Sequence, residues 1–151
     1  ILADIFMSNL EKKLNKFSKN KPLIWYRYVD DILCIFNTEQ SINNVLISIN
    51  RWHKNIKFTI EKEKENKINF LDVLIIRNEK TKEYDTMIYK KPTNTDLYLL
   101  YESNQSKKYK LSLIRSLTIR ILLICSTMEY SQLEIQGLKK VLIQNGYPNG
   151  Y

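Results

Sequence analysis

The chain has 151 residues, 44% hydrophobic and 26% charged, enough apolar content for one compact domain or a core with a small appendage, and this excludes a disordered segment. Lys and Arg outnumber Asp and Glu by 24 to 16, a net charge of +8 that favours a polyanionic partner such as nucleic acid. The apolar stretch "LIRSLTIRILLIC" is broken by Arg115 and Arg120, so no membrane span is expected, and with no signal peptide visible an intracellular, soluble chain fits best.

The opening "ILADIFMSNLEKKL" reads as the interior of a longer protein, so the chain is expected to be a fragment. Leu2, Phe6, Leu10, Leu14 and Phe17 recur at helical spacing and predict an amphipathic helix over 2–18, ended by Pro22. Residues 23–29 and 32–37 are rich in Ile, Leu, Trp, Tyr, Phe and Val and predict two strands; with only "DD" between them they form a hairpin. Thr38 is the expected N-cap of a second helix, which carries Ile42, Val45, Leu46, Ile49 and Trp52 on one face and ends near His53. The lone His53 has no Cys or His nearby to make a zinc site and is read as structural.

"IKFTIE", "INFLDVLIIR", "YDTMIYKK" and "TDLYLLY" then predict up to four further strands. Strict alternation in "INFLDVLII" places Asp72 on the face of Ile68, Phe70, Leu74 and Ile76, where an acid needs either a Lys or Arg partner or a nearby metal site. Helical periodicity returns over 107–127, with Leu111, Ile114, Leu117, Ile121, Leu122 and Cys125 on one side and Lys108, Ser112 and Arg115 on the other. Cys34 and Cys125 both sit in apolar runs and are read as reduced core residues. A last helix starts near Tyr130 and stops at "NGYP", with Gly146 as its C-terminal cap and the two tail helices packing antiparallel. Residues 102–151 hold seven bases against three acids.

Asp30 and Asp31 interrupt the apolar run "WYRYVDDILCIF". Carboxylates are costly to bury, and a hairpin tip leaves both at the surface while stiff strands hold them, as a site for Mg²⁺ or Mn²⁺ requires. Asp is also an ordinary turn residue, so the order of the surrounding elements has to decide.

That order, together with "ADIFM", "WYRYVDDIL", "INFLDVLI", "KKPTNTDLY" and "NGYP", resembles the reverse transcriptases of Penelope-like retroelements along nearly the whole chain. The resemblance implies an α+β fold: a partial polymerase palm of antiparallel strands with helices over 1–101, followed by a small helical thumb over 102–151. It makes Asp30 a metal ligand and Asp31 its supporting acid, with Tyr28 and Val29 lining the primer end. The implied reaction extends a DNA primer on an RNA template with deoxynucleoside triphosphates by a two-metal mechanism, at a nuclear site of action.

By the same resemblance the first helix, with Asp4, has a templating role rather than a ligand's, and "YKKPTNTDLY" is a hairpin gripping the primer backbone through Lys90 and Lys91. Tyr89 and Tyr98 pack on sugar or base there, and Lys107, Lys108 and Arg115 track a duplex as a thumb does. Such polymerases take another metal-binding Asp and the basic finger residues from segments that would precede Ile1, so the chain alone is expected to be inactive. No trace of the GIY-YIG nuclease of related elements is visible in residues 1–151. The alternative is a non-catalytic nucleic-acid-binding relic or reused module. The tail helices could also be taken for a helix-turn-helix, although nothing at base-reading positions stands out.

Overall fold

The computed structural model describes residues 2–16 and 21–150. It is a mixed α and β structure with antiparallel sheets and divides into two compact units, Ile1–Lys62 and Glu63–Tyr151. The division falls inside the span read from sequence as palm, and the helical tail belongs with the second sheet.

In the first unit α1 (Leu2–Glu11) runs into a 3₁₀ turn, Lys12–Lys16. Phe17, the last apolar position of the expected helix, lies outside the described residues. Strands β1 (Ile24–Tyr28) and β2 (Asp31–Ile35) form a two-stranded antiparallel hairpin, and α2 (Glu39–Ile49) follows. Thr38 caps α2 as expected, its hydroxyl accepting the Ser41 N–H at 3.3 Å. The helix stops at Ile49 rather than near His53. Leu14, Val45 and Ile49 form the buried centre of the unit, enclosed by Trp25, Phe36, Leu46, Trp52 and Phe58.

Phe58 gets there without a strand. "IKFTIE" pairs with no strand among the described residues; instead the Asn50 side chain accepts the Phe58 N–H at 2.7 Å and donates to the Phe58 carbonyl at 3.0 Å. A carboxamide carries one donor side and one acceptor side, so it can stand in for a neighbouring strand.

The second unit begins with β3 (Lys67–Phe70), β4 (Val73–Asn78) and β5 (Glu83–Ile88), an antiparallel sheet in that order. The single strand expected over "INFLDVLIIR" is therefore a tight hairpin, with Leu71 and Asp72 as its loop and Leu71 at φ 57°. "TDLYLLY" is likewise not a strand.

Two long helices, α3 (Lys107–Ile124) and α4 (Met128–Gln144), are joined by Cys125–Thr127. That connector is fastened to edge strand β5: the Ser126 N–H donates to the Thr86 carbonyl at 3.0 Å, and the Thr86 hydroxyl donates to the Ile124 carbonyl at 2.5 Å. Ile121, Val141, Leu142 and Tyr147 are the buried apolar residues here. Leu111 and Leu122, expected on the core side of α3, are 48% and 58% exposed, so the helix buries a narrower stripe than its periodicity predicts.

The end of α4 is a Schellman motif. Gly146 at φ 86° donates to the Ile143 carbonyl at 2.9 Å, and the Tyr147 N–H returns to Leu142 at 3.0 Å. Asn145, 4% exposed, uses its side chain as Asn50 does. It accepts the Tyr98 N–H at 2.9 Å and donates to the Asp96 carbonyl at 2.9 Å and the Val141 carbonyl at 2.7 Å, which holds residues 96–98 against the helix.

With only three glycines in the chain, left-handed turn positions fall to other residues. Val29, Glu65, Asn66, Leu71, Lys82 and Asp96 all have φ between 50° and 62°.

Candidate polymerase-type and nucleic-acid-binding sites

Tyr28 pairs with Asp31 across the first hairpin, which leaves Val29 and Asp30 as its two-residue loop. The expected "DD" loop is thus displaced by one residue: Asp30 occupies the turn and Asp31 begins β2. The register puts Tyr26, Tyr28, Asp31 and Leu33 on one face and Trp25, Arg27, Ile32 and Cys34 on the other. Asp30, Asp31, Tyr28 and Val29 are all exposed, Val29 at 68%. Val29 has φ 56°, a conformation that a β-branched residue seldom adopts and that clusters at functional turns.

The opposite face is fastened to α1. Asp4 and Glu11 stand seven residues apart, about two helical turns, and both meet Arg27. Arg27 Nε donates to Glu11 Oε1 at 2.7 Å, and Nη1 donates to Asp4 Oδ1 and to the Val29 carbonyl, each at 3.2 Å. Trp25 Nε1 donates to the same Glu11 oxygen at 3.1 Å. The Arg27 side chain is only 11% exposed. Its pKa is held above the ordinary guanidinium value, chiefly by the hydrogen bond to Glu11, and that of Asp4 is held below the carboxylate value, chiefly by Arg27. Asp4 was read from sequence only as part of a templating helix, and Glu11 and Arg27 were not singled out. The usable pattern was a base on the inward alternation of β1 together with two acids on one face of α1.

Asp30 and Asp31 offer hard oxygen donors side by side on a stiff hairpin, which suits partial coordination of Mg²⁺ or Mn²⁺. Among the described residues no group of three or more His, Cys, Asp or Glu side chains is assembled to hold a metal ion.

In the second unit, Lys90 and Lys91 lie on the exposed segment after β5. Lys90 Nζ bonds Asp96 Oδ1 at 3.0 Å, and Asn94 reaches the same oxygen at 2.9 Å, so Asp96 closes the loop and takes part of the Lys90 charge. Lys91 is exposed. Asp72 does not sit in a strand; from its turn it accepts Arg120 Nη2 at 2.8 Å and Nε at 3.1 Å, which ties the β3–β4 loop to α3. Lys107, Lys108 and Arg115 are exposed on α3, with Lys108 and Arg115 seven residues apart on one face. Lys110 turns away, 5.1 Å above the Tyr101 ring.

Between the 89–98 segment and the two helices is a cleft of about 310 Å³ whose walls include Tyr89, Lys90, Tyr98, Arg120 and Glu134 over apolar Ile121 and Val141. Burial pushes the Glu134 carboxyl above its usual range, opposed by the nearby Lys90 and Arg120 charges. The structure thus gathers Tyr28, Val29, Asp30 and Asp31 at one hairpin tip. Within the second unit it gathers Asp72, Lys90 and Lys91 near the end of β5 and the face of α3.

Two family comparisons bear on these sites. Residues 1–111 match the family described as reverse transcriptase (RNA-dependent DNA polymerase), and residues 97–151 match one described as an animal helix-turn-helix domain. The three-residue connector between α3 and α4 is of the length such helix pairs use. No curated protein and no solved structure matches the chain. Among the described residues no helix is long and apolar enough to cross a membrane.

Proposed function

The chain belongs to the reverse transcriptase (RNA-dependent DNA polymerase) family, and from that membership we propose that it is part of the palm of a Penelope-like retroelement polymerase. The parent enzyme extends a DNA primer 3′-hydroxyl with deoxynucleoside triphosphates on an RNA template. The observation that carries this reading is the exposed Asp30–Asp31 pair at the tip of a two-residue hairpin, inside the family match. "WYRYVDDIL", "INFLDVLI" and "KKPTNTDLY" support the Penelope-like assignment.

Asp30 and Asp31 would hold Mg²⁺ or Mn²⁺, which when bound neutralises the triphosphate and activates the primer hydroxyl. The protein's own part is positional. The hairpin holds the two carboxylates, and Tyr28 and Val29 offer a surface for the primer end.

The helix-turn-helix match favours a second role for residues 97–151, contact with duplex nucleic acid in the position of a thumb. Lys107, Lys108 and Arg115 on α3 and Lys90 and Lys91 on the preceding loop supply positive charge to phosphates without reading bases.

Asp30→Asn in the complete polymerase tests the catalytic role: primer extension is abolished while duplex binding stays within about twofold, since an exposed ligand charge is lost without a phosphate contact. Retained synthesis would remove the metal role and leave a non-catalytic binding module. For the tail, affinity that is indifferent to salt would rule out phosphate contacts.

A further inference from the structure

The loop that carries Asp30 is the least self-sufficient part of its hairpin. Its first residue is a β-branched side chain at φ 56°, 68% exposed and with little packing to hold it there. What the backbone does not fix locally must be fixed from outside, and among the described residues the side chain that reaches the loop's main chain is Arg27, whose Nη1 donates to the Val29 carbonyl at 3.2 Å.

We propose that Arg27 is a positioning residue: its guanidinium fork ties the Val29 carbonyl to Asp4 and Glu11 of α1 and thereby sets where Asp30 and Asp31 stand. This rests on the polymerase reading above. The Val29 carbonyl and the Asp30 N–H belong to one planar peptide, so holding that oxygen fixes the plane from which the Asp30 Cα departs. The guanidinium is itself held at two points, by Glu11 at 2.7 Å and Asp4 at 3.2 Å, and Glu11 is steadied in turn by Trp25. Three acceptors in different directions need a rigid planar donor, which a lysine ammonium on a flexible stem does not supply. The hairpin body does not depend on this fork, because its ladder pairs Ile24 with Ile35 through Tyr28 with Asp31.

The test uses Arg27→Gln and Arg27→Lys in the complete polymerase, with Asp30→Asn alongside. In Arg27→Gln, kcat for single-nucleotide incorporation falls by about a hundredfold, the cost of roughly an ångström of misplacement, while KM for the nucleotide stays within about twofold. The Mg²⁺ concentration for half-maximal rate rises. Arg27→Lys, which can keep Glu11 but not all three acceptors, falls in between.

Amide hydrogen exchange on the 151-residue chain gives a readout independent of synthesis. In Arg27→Gln the Asp31 amide, in the pair that closes the loop, exchanges faster, and the protected amides of the pairs from Ile24–Ile35 to Arg27–Ile32 do not. Unchanged turn exchange and unchanged kcat would overturn the proposal, and so would loss of protection through the whole hairpin, which would make Arg27 a fold-holding residue only. If Asp30→Asn still synthesises DNA, the polymerase reading fails, and the exchange result still decides whether Arg27 holds the turn.

Discussion

Replacing Asn145 by Ala is the sharpest test of how the second unit presents its basic loop. The side chain is 4% exposed and its amide serves the Tyr98 N–H, the Asp96 carbonyl and the Val141 carbonyl. Val141 loses little, because its carbonyl also accepts the Asn145 backbone N–H at 3.0 Å. Tyr98 and Asp96 lose the partner that fixes them, and both are half-buried, so each costs about 1 kcal/mol rather than the upper end for a fully buried group. With the lost packing the total is roughly 2–3 kcal/mol, a fall in Tm of about 10–20 °C for a unit of this size.

Circular dichroism melts of the whole chain and hydrogen exchange over residues 96–101 measure it. Duplex affinity should fall as well, because Lys90 and Tyr98 lose their fixed placement. Asn145→Asp sharpens the test: it keeps an acceptor for Tyr98 but turns a second oxygen on two carbonyls, so it should be no milder than Ala. A Tm shift under about 2 °C with loop protection intact would refute the argument that this amide substitutes for a strand partner.

Three further outcomes follow from other parts of the molecule. Val29→Gly relieves a left-handed conformation worth about 1–3 kcal/mol at the cost of some unfolded-state entropy. It should stabilise the first unit by about 1 kcal/mol in urea titrations, and destabilisation would show that the turn is not strained. Glu134 has its folded pKa raised by burial, so the folded state holds the proton more tightly and stability falls as pH rises from the ordinary carboxylate value through the raised one. Glu134→Gln should therefore raise Tm at pH 7 and lose that advantage below about pH 4, whereas a gain independent of pH would point to packing instead. Burial pushes the Cys34 thiol up to about 12, so in the folded chain it should react with a disulfide reagent at pH 8 at least about a hundredfold more slowly than in urea, and more slowly than Cys125. Equal rates would place Cys34 at the surface.

The features legible in the sequence were those specified locally. Thr38 ahead of an apolar-periodic run, Gly146 after one, and two acids between aromatic strands each announce a cap or a turn within a few residues. The one-residue displacement of the first loop shows where that stops: Asp30 and Asp31 look alike as turn formers, but register is set by which side chains face inward, here Trp25 opposite Cys34. "INFLDVLIIR" hid its hairpin because Leu71 carries the left-handed position that turn chemistry assigns to Gly or Asn. "IKFTIE" and "TDLYLLY" alternate like strands, yet their backbone partners are the amides of Asn50, eight residues before Phe58, and Asn145, 47 residues after Tyr98. Arg27 was equally out of reach, because its meaning depends on Asp4 and Glu11, 23 and 16 residues earlier.

Among the described residues, the six non-glycine positions at positive φ bear on how this chain tolerates change. Each turn written with Val, Glu, Leu or Lys instead of Gly gives up stability that an ordinary substitution could restore. The protein therefore keeps several independent positions where compensating mutations are available on the surface. A damaging change in the core around Ile121 can be rescued at Glu65, Leu71 or Lys82, in the same unit, without touching the acids at the hairpin tip. Suppressor screens on a weakened variant should return glycine at these turns repeatedly.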